Sequence, residues 1–358
     1  MGLGKWVINP IFQFATEELW PFRDIAELEE WCLIIRMIKE IKSASFIVVL
    51  MGNLLQAGTI FETFDWATVG DVGNDGYANK AGAGKVDYIY QINKYETTIS
   101  QYATFLNSVA TYSDPYQLWK TQMNPSVSTR GIIKSVNTDG SFNYMVKGDG
   151  NKPVEVNWFD AARFCNWMQN GGTSSSSTET GSYELNGAMT GIIYKNSTAT
   201  FALPTLSEWF KAAYYDPNKN GANQSGYWTY ANQSDVATTD EINFGGSHPD
   251  SGGDLVTPVG FFTDGASYYG TYDQSGNVAE WNDQVAHAAN YRGRQGGAFD
   301  STTSTGDLGK DSIYNDGYFE TTGYSTAGFR ITTVPEPSAF SLLAVGFGGF
   351  AMMRRRRS

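Results

Sequence analysis

YDQSGNVAEWND, residues 272–283, puts a turn, a charge and an aromatic anchor into one short stretch. Gly276 allows a tight turn that aims backbone carbonyls inward, and Asn277 can brace the loop. Trp281 reads as core, as does Trp209 in the upstream stretch LPTLSEWFKAAYYDP, residues 203–217. Between the turn and Trp281 lies Glu280. A carboxylate in that place has two uses. It can join carbonyls in an oxygen cage around a hard cation, or it can pair in the interior with Arg292 or Arg330. The sequence leaves both open.

The surrounding composition is that of a loop-rich globular protein. The 358 residues suffice to bury an ordinary core without disulfide or metal staples. Aromatic residues make up 15% and charged residues only 17%, a mix that argues against both a helical bundle and a disordered chain. The net charge of −12 repels phosphate backbones, so nucleic acid is not an expected partner. Cys32 and Cys165 are the only cysteines, which excludes thiolate zinc sites and dithiol redox chemistry. Phosphate-binding glycine loops and a hydrolase serine elbow are missing as well.

Local patterns place the elements. VDYIYQI, residues 86–92, alternates as a strand with one buried face. Thr98 and Gln101 form a capping box, and Ile99, Tyr102, Ala103 and Leu106 recur at helical spacing behind it. A second helix starts near Asn157, with Asp160 at its positive end and Trp158, Ala161, Cys165 and Met168 along one side. Thr205 and Glu208 cap a third, which buries Trp209, Ala212 and Ala213. SFNYMV, residues 141–146, is a candidate strand, and Gly171–Gly181 is a low-complexity loop inserted in one domain.

Six blocks in order resemble the sulfatase-modifying-factor family, best known for formylglycine-generating enzymes. They are YQINKYETTISQYATFLN (90–107), PVEVNWFDAARFCNWM (153–168), LPTLSEWFKAAYYDP (203–217), YDQSGNVAEWND (272–283), RGRQGGAFD (292–300) and GFRI (328–331). The resemblance implies an irregular, loop-rich α+β single domain over residues 66–333, related to C-type lectins. It also implies a structural calcium ion held by Glu280 with the carbonyls of Gly276 and Val278, and a second drawing on Asn243, the Phe244 carbonyl and Asp254. The family's oxidases hold copper with a cysteine pair after the Gly-Gly block. Ser301 and Gly306 stand at those positions, so no copper is expected. A branch that uses iron on three histidines lacks its ligands, because His248 and His287 are the only two. His248, Asp250 and His287 keep the order of a two-histidine, one-carboxylate iron site; the alternative is two loop histidines.

The ends indicate destination. From Met37, Lys39 and Lys42 precede the apolar run SFIVVLMGNLL, which reads as a signal peptide over 37–57. Residues 1–36 are acidic, and translation is expected to begin at Met37; a signal-anchor behind a cytoplasmic extension is the competing reading. Val334-Pro335-Glu336-Pro337, an uncharged segment at 339–353 and Arg354–Arg357 resemble a PEP-CTERM tail over 334–358. As a helix, 339–353 would reach only ~22 Å, short of a hydrocarbon core of roughly 30 Å. The tail resemblance implies recognition by an exosortase of a Gram-negative bacterium that makes extracellular polysaccharide, followed by removal; a plain C-terminal anchor is the alternative. The expected protein is therefore an exosortase-sorted surface or matrix protein whose domain binds or supports rather than oxidises. A metal-dependent oxidoreductase, of the formylglycine-generating or non-haem iron type, is the competing expectation, and a lectin-like polysaccharide binder is a third.

Overall fold

Three capped helices and two small sheets carry the structure. The computed structural model describes residues 60–124, 130–246, 255–285, 291–303, 307–312, 318–319 and 327–333. The chain divides into two units, Met1–Leu55 and Gln56–Ser358, and every described residue lies in the second. The signal-peptide segment 37–57 and the tail 334–358, with its apolar segment 339–353, lie outside the described residues. Among the described residues no helix is long and apolar enough to cross a membrane.

Helix α1 spans Ile99–Val109, α2 Trp158–Gln169 and α3 Leu206–Tyr214. Each begins with a reciprocal capping box. Thr98 accepts from the Gln101 N–H at 3.2 Å while the Gln101 side chain accepts the Thr98 N–H at 2.9 Å. Thr205 and Glu208 repeat the pattern, and at α2 Asn157 and Asp160 play the two parts. These bonds satisfy amide donors that a helix start otherwise leaves open.

Helix α2 departs from the one-sided pattern expected of it. Every residue from Trp158 to Met168 is buried. Its polar members are enclosed with partners: Arg163 meets Glu179 at 2.7 Å, Asp160 meets Lys120 at 2.5 Å, and Asn166 donates to the Tyr183 carbonyl. The Gly171–Gly181 loop wraps the C-terminal end, with the Thr173 carbonyl accepting the Trp167 indole N–H at 3.0 Å. A low-complexity loop thus covers the face that would otherwise meet solvent.

The strands are β1 Trp66–Val69, β2 Tyr90–Asn93, β3 Gly131–Val136, β4 Phe142–Lys147, β5 Phe201–Ala202, β6 Tyr215–Asp216 and β7 Gly226–Tyr227. They continue with β8 Ala279–Val285, β9 Tyr291–Gln295, β10 Tyr318–Phe319, β11 Ala327–Phe329 and β12 Thr332–Thr333. One sheet runs β1-β2-β12-β5 and the other β10-β9-β8-β11, with β11 parallel to β8; β3–β4 and β6–β7 are hairpins. The strand expected over 86–92 is only Tyr90–Asn93, because β1 offers four residues to pair with. Tyr88 and Ile89 are exposed instead. The 141–146 strand forms as β4, on β3.

Residues 327–333 link the two sheets, leaving β11 in one and entering β12 in the other. Helices α1 and α2 pack beside this crossing through Phe105, Phe164 and Phe329, whose rings meet edge to face 5.3 Å apart. The α2 cap is testable. Asn157→Ala should cost about 1 kcal/mol, seen as a lower denaturant midpoint at unchanged slope. Thr104→Ala, on the exposed side of α1, should leave the midpoint nearly where it was.

Candidate functional site

The turn at 274–277 is built from conformations that few residues adopt. Gly276 has φ 92°, and a Cβ there would lie 2.2 Å from the Asn243 carbonyl oxygen. Asn277 follows at φ 56°, a left-handed position that asparagine tolerates. Its backbone N–H donates to the Asn243 carbonyl at 2.9 Å, and its carbonyl accepts from Phe299 at 2.9 Å. The side chain is buried and fully used. Its Oδ1 accepts from Asn243 and from the Thr257 amide, and its Nδ2 donates to Glu96 at 3.1 Å. Asn277 therefore joins four separate stretches of chain.

Glu280 lies on β8 with no exposed surface, and its carboxylate is committed. Arg330 donates from Nε to Oε2 at 2.6 Å and from Nη2 to Oε1 at 2.5 Å, and the Trp209 indole adds a bond to Oε2 at 2.7 Å. The remaining guanidinium donors go to the carbonyls of Asn93, Lys94 and Tyr272 at 2.8–3.0 Å. All five N–H bonds of Arg330 thus have acceptors. Of the two arginines considered for Glu280, Arg330 is the partner. Arg292 lies over the Trp158 ring at 3.8 Å. Trp209 and Trp281 are both core residues without exposed surface.

Two further carboxyl groups face this pair, Glu96 and Asp273, and neither was singled out by local pattern. Burial, with the charges of Asp273 and Glu280, holds Glu96 well above the usual carboxylate range, against the pull of Arg330. Burial raises Asp273 to about 6, although the Gly260 N–H and Arg330 favour its charge. One arginine cannot neutralise three carboxylates, and the excess negative charge adds to burial in raising Glu96 and Asp273.

The expected metal ligands fare differently. With both Glu280 oxygens taken by Arg330 and Trp209, the set of Gly276, Val278 and Glu280 does not fit calcium as built: the ion would meet a guanidinium on the same two oxygens. Asn243 and Phe244 lie in the loop stapled to the turn, while Asp254 falls outside the described residues. His248, Asp250 and His287 also fall outside them, as does Gly306. Ser301 is described: its Oγ accepts the Ala298 N–H at 3.0 Å and its own N–H donates to the Ala298 carbonyl at 2.9 Å. It closes the turn behind Gly296 and Gly297.

An irregular α+β domain, with a Gly-Asn turn sealed to a Gly-Phe-Arg strand by a buried ion pair, defines the class. Residues 42–333 match the family model of the sulfatase-modifying factor enzyme 1-like domain, and the chain belongs to that family. Residues 333–357 match the PEP-CTERM protein-sorting motif, which marks an exported protein sorted by an exosortase. Similar solved structures include CarF, 20% identical with a TM-score of 0.44, covering 75% of this chain and 98% of that one. Treponema denticola variable protein 1 is 18% identical with a TM-score of 0.45, covering 76% and 95%. PvdO from Pseudomonas aeruginosa is 13% identical with a TM-score of 0.40, covering 75% and 91%. No curated protein matches the sequence.

The buried acids set a pH dependence. Asp273 is joined by Asp160 and Asp283, each raised by burial to about 6; for Asp160, burial outweighs the Lys120 ammonium 2.5 Å away. The folded protein therefore keeps protons that the unfolded chain releases near pH 4. Stability is greatest at the acidic end of that window and falls as pH rises through about 6. The melting temperature should be higher at pH 5 than at pH 7.5. A rise toward pH 7.5 would show these groups ionised and well paired.

Proposed function

We propose that this protein is a surface or matrix module that binds or supports, keeping the family fold without the family's copper chemistry. What carries this is Ser301, which the family resemblance sets at a cysteine position. A hydroxyl stays protonated near neutral pH and is a poor ligand for soft Cu(I). Here it also accepts the Ala298 amide N–H. Gly306, at the other cysteine position, has no side chain. Cys165 does not replace them: it is fully buried in α2, and burial pushes its thiol far above the ordinary range.

The route to the surface belongs to the same proposal. Residues 37–57 act as the export signal, and 339–353 hold an inner-membrane intermediate until an exosortase-type enzyme removes the tail. The partner at the destination is extracellular polysaccharide or another surface protein. Copper, oxygen and a sulfatase-type cysteine peptide, supplied to the purified protein, should give no turnover. Copper-dependent oxidation of the peptide would replace the binding module with an oxidase.

A structural calcium ion is the proposed cofactor, confined to the loop of Asn243, the Phe244 carbonyl and Asp254. Oxygen donors of this kind suit calcium. Chelator should then lower the melting temperature. Glu280→Gln should destabilise the fold while leaving the size of the chelator effect unchanged, because Glu280 answers to Arg330 and not to the ion. If chelation changes nothing, the calcium proposal fails.

A further inference from the structure

Strands β8 and β9 pair through a bulge. Trp281 lies opposite Arg294 and Val285 opposite Arg292, so Asn282, Asp283 and Gln284 all face the single residue Gly293. A Cβ on Gly293 would lie 2.3 Å from the Asn282 Oδ1 and 2.9 Å from the Gln284 Cβ, so both side chains lean over the glycine. Bulges of this kind re-aim side chains and gather beside binding and catalytic sites.

Among the described residues, the amides gathered there lack partners for some of their polar atoms. Asn282 has no exposed surface; its Oδ1 accepts the Gln284 N–H at 2.9 Å, but its Nδ2 has no partner. The Gln284 Oε1 is buried without a donor. Gln295, two positions beyond Gly293 on the same face of β9 and 2% exposed, has an unpaired Nε2. A buried polar group left unpaired costs about 1–3 kcal/mol. Three such carboxamide atoms around one bulge, with the Asp283 Oδ1 between them in the same condition, call for an occupant. Gln284 and Val285 are only half-buried, so this end of β8 can be reached from outside.

We propose that Asn282, Gln284 and Gln295 form a binding site for an uncharged hydroxylated ligand, a saccharide unit. Each carboxamide offers both a donor NH₂ and an acceptor oxygen and carries no charge. A hydroxyl group is donor and acceptor at once, and so matches all three. An anion would stand beside Asp283 and find the Gln284 oxygen facing it; a cation would leave two amide donors unpaired. Arg292, opposite Val285, lies flat on Trp158 and donates from Nη2 to the Gly191 carbonyl at 3.3 Å. The site rests on the binding-module proposal and gives that module its ligand class.

The test is calorimetric titration of the full chain with methyl glucoside, methyl galactoside and N-acetylglucosamine, beside glucuronate and glucosamine. At least one neutral sugar should bind, and about ten-fold more tightly than the charged ones. Gln284→Leu should weaken that binding about ten-fold while the melting temperature holds or rises, since the variant removes a buried acceptor without a partner. Gly293→Ala, which fills the space under both amides, should abolish binding; if that variant fails to fold, Gln284→Leu still decides. The site is overturned by absence of neutral-sugar binding at tens of millimolar, by tighter binding of glucuronate, or by sugar binding indifferent to Gln284→Leu. Those failures, without copper turnover, remove this site and leave the binding module standing; copper turnover removes the module itself.

Discussion

An arginine and a glutamate without exposed surface fasten the two sheets of this protein together. Arg330 sits at the crossing between β11 and β12. It reaches Glu280 on β8 in one sheet and the carbonyls that end β2 in the other. Removing two charges from water is costly, and their attraction repays the cost only when every remaining donor and acceptor is also served. That condition is met here: the guanidinium has five acceptors, and Trp209 takes up the carboxylate from α3. The pair is thus less a source of net stability than a lock on one arrangement of helix, turn and sheets.

The lock has consequences for chemistry. It uses up the carboxylate that could otherwise have held a metal, and it stands beside Glu96, which burial and the charges of Asp273 and Glu280 hold above the usual carboxylate range. It also fixes the start of β8, so the bulge further along that strand is presented from a rigid base. The proposed saccharide site lies at that bulge, between the two inner strands of its sheet. The sorting motif adds the setting, export to the cell surface.

Much of the scaffold was legible because it is written locally. Thr98 with Gln101 and Thr205 with Glu208 announce their helices within four residues, and the blocks around Gly276 and Arg330 announce the family. Long-range pairing was not legible. Glu280 had two candidate arginines, and only strand register sends Arg292 onto Trp158 and leaves Arg330 for the carboxylate. Glu96 meets Asn277 across 181 positions, a separation no local pattern encodes. Alternation over 86–92 overstated β2 because a short partner strand, not the pattern, sets its length. The bulge at Asn282–Gln284 leaves no mark in the sequence, since it depends on where β9 resumes its pairing.

A double-mutant cycle on Glu280 and Arg330 tests the central claim most directly. Glu280→Gln, Arg330→Met and the double variant would be compared by denaturant unfolding. Each single change should cost about 3–5 kcal/mol, because it strands a buried charge, and the double should cost little more than either alone. Additive costs, which indicate independent residues, would contradict the account.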